Sequence, residues 1–332
     1  MIVVSTGCPA SIGPEVAVAA AARISRQRIV LVGERRTLEL AADLVGVNRE
    51  RLVPYGERRG AGLLEVLQVG PTLKAADRNP KKPTQRAGVA QLEYVNAAYD
   101  LVRAEQSAVL VTAAVSKAVI AGCGAPGASV FRGHTEWLQA RDGAASSVMC
   151  FVAPKLVTGL VTTHLPLAKV PGALTADGVA ESTRRLVELL WLLGCPKPKV
   201  ALCALNPHAG ESALLGNEEA TAILPGLELA RKRLGRRAEL VGPIGAETAY
   251  RQAHAGYFDG VVAMYHDQAT IPLKLVAFGR AVNVTMGLSI IRTSVDHGTG
   301  YDIAWRGQAD CAGMLAAMRL GVRLLRGRRT AQ

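Results

Sequence analysis

Short apolar runs alternate with amphipathic stretches along nearly the whole chain, and this alternation restricts the fold more than any single motif. Residues 1–5 read as a first strand, and the loop TGCPASIGPE follows, broken by Gly7, Pro9, Gly13 and Pro14 before helical residues 17–23. Residues 28–32 form a second run, followed by a helical pattern through Leu38, Ala41 and Val45. Strand, helix, strand, helix is the mark of a doubly wound α/β protein. The pattern resumes after residues 71–85, a Pro- and Lys-rich segment expected to be an exposed loop. A long amphipathic helix from Ala87 carries Leu92, Val95, Ala98 and Leu101, and leads to a strand at 107–113. Strands are expected at 148–152, 156–162, 200–205, 238–241 and 261–265, with helices at 177–193, 224–234 and 310–325. No repeat of solenoid length interrupts this order.

With 332 residues, nearly half of them apolar, the chain can bury a large core in two domains or one large one. The N-terminus lacks a basic leader and long apolar core, and no apolar run is long enough to cross a bilayer, so a cytoplasmic protein without a membrane partner is expected. Six cysteines without CxxC spacing point to reduced thiols, not to a zinc ribbon or a disulfide scaffold. The formal charge of +12 admits two partners, nucleic acid or small anions. Only three Trp, seven Tyr and four Phe are available for base stacking, and few lie near the basic clusters, which favours small anions over nucleic acid.

The stretch 261–304 holds most of the chemistry. Its apolar start ends at His266 and Asp267, and strand ends are where open α/β sheets keep their reactive groups. Lys274, Asn283 and Arg292 follow, suited to anions or hydroxyls, ahead of the polar segment TSVDHGTG. Three of the six histidines, His164, His208 and His266, come directly after β-type runs. Three neutral imidazoles suit a borderline divalent ion with one position open for substrate, although each alone reads more readily as a hydrogen-bonded core or turn residue. In RGHTEW, His134 and Thr135 with the amides of a helix start form a candidate anion site, and the plain alternative is that Thr135 caps the helix. Gly242 and Pro243 with Glu247 and Thr248 read as a loop entering a helix, where amides meet a cofactor phosphate or simply begin the helix. Gly122, Gly124 and Gly127 fit GxGxxG, but Pro126 and the missing acidic residue downstream reject a dinucleotide fingerprint.

Taken together, CPASIGPE near the start, GHTE at 133–136, NPHAGE at 206–211, GPIGAET at 242–248, YHDQ at 265–268 and GLSIIRTSVDHGT at 287–299 cover the whole chain. The sequence resembles the 4-hydroxythreonine-4-phosphate dehydrogenase family of pyridoxal phosphate biosynthesis. The resemblance implies an α/β, two-domain fold of the isocitrate and isopropylmalate dehydrogenase type, with three-layer αβα domains and a cleft between them. The first domain would comprise 1–135 plus 285–332, and the second 136–284 with metal and dimer-interface elements. By position, His164, His208 and His266 match the family's metal ligands, and His134, Thr135, Lys274, Asn283 and Arg292 its substrate contacts. The cofactors implied are NAD or NADP and a divalent metal such as Zn, Mg or Co, with Gly242, Pro243 and Thr248 as cofactor contacts. The family is a homodimer with shared active sites.

The implied reaction oxidises 4-phosphohydroxy-L-threonine to 2-amino-3-oxo-4-phosphohydroxybutanoate, which loses its carboxylate to give 3-amino-2-oxopropyl phosphate. His134 and Glu247 are the candidates for the proton acceptor. The family's usual first motif has an acidic residue and a glycine where this chain has Cys8 and Ser11. Prolines are common at the positions of Ala114, Gly245 and Ser289, and an aspartate at that of Glu247. Relatives that oxidise threonate or erythronate 4-phosphate share the same site residues, which leaves a sugar-acid phosphate as an alternative substrate. A three-histidine metal hydrolase is the remaining alternative on the histidine pattern alone.

Overall fold

Buried strands form where the apolar runs lie. The computed structural model describes residues 1–58 and 60–331. Its strands are β1 Ile2–Ser5, β2 Ile29–Gly33, β3 Leu52–Pro54, β4 Leu64–Gln68, β5 Val109–Thr112 and β6 Val148–Ala153. They continue with β7 Leu156–Leu160, β8 Lys199–Cys203, β9 Glu239–Ile244, β10 Gly260–Ala263, β11 Val282–Met286 and β12 Arg292–Val295. The chain divides into two compact units, Met1–Ala145 with Leu288–Leu325, and Ser146–Gly287 with the end of the last helix from Arg326.

In the first unit the strands run in the order β3, β4, β2, β1, β5, β12, and these neighbours pair in parallel. Helices cover such a sheet on both faces, which is why β1, β2 and β5 are unbroken apolar runs without a polar side. The helix Gly13–Ala22 has Pro14 in its first turn, where the missing N–H costs nothing. The helix Gln85–Ala104 is capped by Thr84, whose hydroxyl accepts the Ala87 N–H, and it buries Ala90, Tyr94, Val95 and Ala98 against Val3, Val30 and Leu110. The helix His134–Asp142 stays with this unit because Trp137 Nε1 donates to Asn96 at 2.8 Å and Tyr99 donates to Asp142 at 2.8 Å. The division therefore falls after Ala145 and after Gly287, where the sequence put it after 135 and 284.

The structure adds one strand here and corrects two expectations. Strand β4 is not visible in the apolar pattern, since Glu65 sits in its middle. That carboxylate is buried because Arg28 grips it through two bonds of 2.7 and 2.8 Å. Residues 71–85 are not simply an exposed loop. They contain the short turn Ala75–Arg78, and Asp77 is buried, accepting from Lys74 N–H and Thr84 Oγ1. The polar segment after Ile291 begins as the buried strand β12, in which Thr293 donates to Ala317 O at 2.9 Å and Ser294 to Val295 O at 3.1 Å. Hydroxyls satisfied by backbone carbonyls can be buried at little cost.

In the second unit the order is β11, β6, β7, β10, β8, β9. Strand β6 is antiparallel to both β11 and β7, and the remaining pairs are parallel. The helix Ala176–Leu192, capped by Thr175, packs against Leu224–Leu234. Gly226 permits the close approach: a Cβ there would stand 2.6 Å from that of Val179. The helices Ala246–His254 and His266–Ala277 bury Ala249, Tyr250, Ala269 and Leu273 in a cluster with Phe151, Leu160, Ala201 and Val261.

Candidate active site

Strands β7 and β10 are neighbours, paired Thr158 to Val261 and Leu160 to Ala263. The chain stays paired past both strands, because Val161 N–H reaches Ala263 O at 2.9 Å and Thr162 N–H reaches Met264 O at 3.1 Å. The Thr162 hydroxyl donates to the same Met264 carbonyl at 2.7 Å. His164 and His266 each follow this tie by two residues, and their rings end side by side with centroids 5.7 Å apart. His266 follows the strand, as expected, and is the first residue of the helix His266–Ala277; its Nδ1 lies 2.6 Å from Asp267 Oδ1.

Strand β8 flanks β10 on its other side, so the three histidines follow three adjacent parallel strands. His208 is exposed on the turn Pro207–Gly210, within a run of left-handed backbone that includes His208, Ala209, Glu211, Ser212 and Ala213. Left-handed non-glycine residues cost roughly 1–2 kcal/mol each. Glu219 anchors the start of the turn, accepting from Leu205 N–H at 2.9 Å and Asn206 N–H at 2.8 Å. Gln268 ties the ends of β8 and β10, accepting from Met264 N–H and donating to Ala204 O. His208, Asn206, Thr248, Tyr265 and Asp267 line a cavity of about 780 Å³ beside this tie. The imidazole donor set suits a borderline divalent ion. His164 and His266 are gathered, but among the described residues no group of three or more His, Cys, Asp or Glu side chains is arranged to hold a metal.

The first unit supplies a different kind of site. The helix His134–Asp142 starts at His134, and its N-cap Gly133 offers no side-chain cap, so Thr135 lies inside the first turn and is not the cap. The ring of Phe131 meets that of His134 edge-on at 6.3 Å. Nε2 of His134 is buried with no hydrogen-bond partner among the described residues. Burial pushes the imidazole's pKa well below its ordinary value, and the charges of Arg292 and Lys117 push it further. Arg292, at the start of β12, is 2% exposed and donates to Thr112 Oγ1 from Nε at 3.2 Å and from Nη2 at 2.8 Å. Burial lowers its pKa to about 10, against the opposing pull of Glu136.

The other expected residues are distributed as follows. Lys274 is exposed near the end of the helix that His266 opens, and Asn283 lies in β11 with a buried Oδ1 that has no partner among the described residues. Gly242 and Pro243 belong to β9 and not to a loop. A Cβ on Gly242 would lie 2.6 Å from Leu202 O, so a close strand contact accounts for this glycine. Glu247 is exposed, bound by Arg251 at 2.8 Å and by the Thr248 hydroxyl at 2.9 Å, and those two partners in that order hold its pKa down. Two departures in the first loop have structural roles. Ser11 donates to Cys8 O at 2.7 Å and accepts the Gly13 N–H at 2.9 Å, and Cys8 Sγ lies 3.5 Å from the Tyr301 hydroxyl.

Histidines following the parallel strands of one sheet, and an unpartnered imidazole beside a buried arginine in the other unit, are the build of an α/β enzyme for small anionic molecules. The sequence model described as pyridoxal phosphate biosynthetic protein PdxA matches residues 25–321. A 4-hydroxythreonine-4-phosphate dehydrogenase of Desulfosudis oleivorans is 37% identical, over 97% of this chain and 95% of its own length. The crystal structure of the Klebsiella pneumoniae enzyme of that name superposes with a TM-score of 0.83 at 31% identity, covering 98% of this chain and 99% of the other. A terephthalate 1,2-cis-dihydrodiol dehydrogenase from Burkholderia xenovorans superposes at 0.67 with 30% identity, covering 97% of each chain. The chain belongs to the pyridoxal phosphate biosynthetic protein PdxA family.

Proposed function

We propose that this protein oxidises the hydroxyl of 4-phosphohydroxy-L-threonine with NAD or NADP, giving an oxo acid that decarboxylates to 3-amino-2-oxopropyl phosphate. The observation that carries this reading is the full-length relationship to 4-hydroxythreonine-4-phosphate dehydrogenases, together with the presence of all eight residues matching the family's ligands and contacts. In this reading His164, His208 and His266 are the ligands of a divalent cation, which when bound supplies the Lewis acidity that makes the substrate hydroxyl more acidic. Arg292, Thr135, Lys274 and Asn283 hold the charged and hydroxyl groups of the substrate. His134, neutral at physiological pH and with a free Nε2, accepts the hydroxyl proton. Glu247, ionised and held by Arg251, is the weaker base of the two candidates. Thr248 lines the cavity beside His208 and is the cofactor contact among those considered, whereas Gly242 and Pro243 act through the shape of β9.

We further propose a homodimer. Ile271, Leu275 and Phe278 lie on one face of the helix that His266 opens and just beyond it, and are 68%, 84% and 82% exposed. A contiguous apolar face of this kind favours burial against another chain. Among the described residues no helix is long and apolar enough to cross a membrane, and the six cysteines are free thiols, which fits a reducing cytoplasm.

The test is a substrate panel. Purified protein with a divalent metal and NAD or NADP is given 4-phosphohydroxy-L-threonine, threonate 4-phosphate and erythronate 4-phosphate, and reduced nicotinamide is followed by absorbance. Fastest reduction with the amino acid supports the reading, and a preference for a tetronate phosphate moves it to the sugar-acid alternative. No reduction with any of them, or phosphate release without nicotinamide, overturns it. The Burkholderia xenovorans relative carries the name of a dihydrodiol dehydrogenase, which supports a fold open to more than one substrate and with it the tetronate alternative.

A further inference from the structure

Lys117 stands out among the basic residues of the first unit. It opens the short helix Lys117–Ala121 after β5, and the side chain runs to Gly133: a Cβ built there would lie 3.5 Å from Lys117 Cε and 3.6 Å from Nζ. Gly133 is the uncapped residue ahead of His134, so the ammonium lies against the open start of the helix His134–Asp142. A Cβ in the same place would stand 2.8 Å from Glu136 Oε2, so this carboxylate also comes up to Gly133. A glycine is thus required where the lysine and the glutamate close in. The charged and polar groups concerned come from three elements: Lys117 from the segment after β5, His134 with its unpartnered Nε2 at the start of its helix, and Arg292 from β12. Lys117 and Arg292 both act electrostatically on His134, and Glu136 on Arg292.

Lys117 and Arg292 set two positive charges about an imidazole nitrogen that has no partner among the described residues, and an anion would complete such a set. We propose that Lys117 is a further substrate-binding residue, which with Arg292, His134 and the amides at the start of the helix His134–Asp142 holds an anionic group of the substrate. This rests on the dehydrogenase reading for the identity of the substrate, but not for the binding of an anion. An anion seated there also offsets the two positive charges that act on His134, so substrate binding restores basicity to the imidazole that accepts the proton.

The experiment compares wild type with Lys117→Met and Lys117→Arg. Inorganic phosphate is titrated calorimetrically into each metal-loaded protein, and kcat/KM is measured against pH with the best substrate of the panel. Lys117 is exposed and lies at the first turn of its helix, so both variants should fold, as thermal melting will show. The expected results are phosphate affinity lower by about tenfold or more in Lys117→Met, largely restored in Lys117→Arg, and an acid limb of kcat/KM moved to higher pH in Lys117→Met because one of the charges depressing His134 is gone. Unchanged phosphate affinity together with an unmoved acid limb overturns the proposal. Phosphate binding that depends on Lys117 in a protein that turns over none of the panel keeps this pocket and rejects the dehydrogenase reading instead.

Discussion

The imidazoles of His164 and His266 lie with their centroids 5.7 Å apart and their planes inclined by 41°, held there by the pairing of Thr162 with Met264. In the proposed reading both imidazoles are ligands of one cation. Removing either ring by His164→Ala or His266→Ala should abolish stoichiometric zinc or cobalt after desalting, as read by elemental analysis, while melting temperature in chelator stays near that of wild type. His164 is exposed on a turn and His266 is half-buried at a helix start, and neither belongs to the apolar core. Full metal content in both variants would exclude them as ligands.

The apolar face carried by Leu275 and Phe278 is expected to be covered by a second copy. Sedimentation of wild type should give a dimer, and Leu275→Asp with Phe278→Asp a monomer that keeps its circular dichroism. A charge placed in an apolar contact is strongly unfavourable. A wild-type monomer at micromolar concentration would refute the dimer.

Arg292→Lys tests the planar fork. A lysine cannot reproduce the two bonds to Thr112 and still present donors to an anion, so kcat/KM should fall by roughly ten- to hundredfold, about 1.5–3 kcal/mol for a charged hydrogen bond. The loss should appear mainly in KM. An unchanged KM would remove Arg292 from the binding site.

Ser289 stands where the family commonly has proline, and here its N–H donates to Asp142 at 2.7 Å while its hydroxyl donates to the same carboxylate. Burial raises the Asp142 pKa, but the bonds from the Ser289 hydroxyl and N–H and from Tyr99 outweigh it, and the net shift is downward. A carboxylate with a depressed folded pKa contributes stability that is present above its unfolded value and lost as pH falls through the folded one. Ser289→Pro removes both donors and should cost about 1.5–3 kcal/mol at neutral pH in denaturant unfolding, with the difference shrinking below pH ~4. An equal loss at neutral and acid pH would mean that the proline acts through backbone strain instead.

His134 gives the opposite end of the titration. Its pKa is depressed on folding, so its contribution is full above the unfolded value near ~6.5 and declines as pH falls from there toward the folded value, because only the unfolded chain takes up the proton. Wild type should therefore lose stability between neutral pH and pH ~5 more steeply than His134→Gln, measured by denaturant midpoint. Parallel curves would show that the imidazole is not held neutral.

Much of the architecture is legible in the chain itself. Buried parallel strands are continuous apolar runs, which is why β1, β2, β5, β7, β8 and β10 stand out, whereas β4 and β12 do not. Glu65 interrupts the first until Arg28 is brought alongside, and the hydroxyls of Thr293 and Ser294 disguise the second until carbonyls from elsewhere accept them. The candidate residues show the same division. His164, His208 and His266 can be recognised as following strands, but only sheet order makes β7, β10 and β8 neighbours, and only the tie between Thr162 and Met264 sets two of the rings side by side while His208 stays on its left-handed turn.

Lys117 could not be singled out from the sequence, because an exposed lysine at a helix start is ordinary until Gly133 is brought against it. What the sequence determined alone was local: periodicity, turn chemistry, and the kinds of side chain that follow each strand. Which of those groups meet was decided by tertiary structure, since contacts between residues far apart in the chain depend on strand order and register, and these are selected by the packing of the whole sheet.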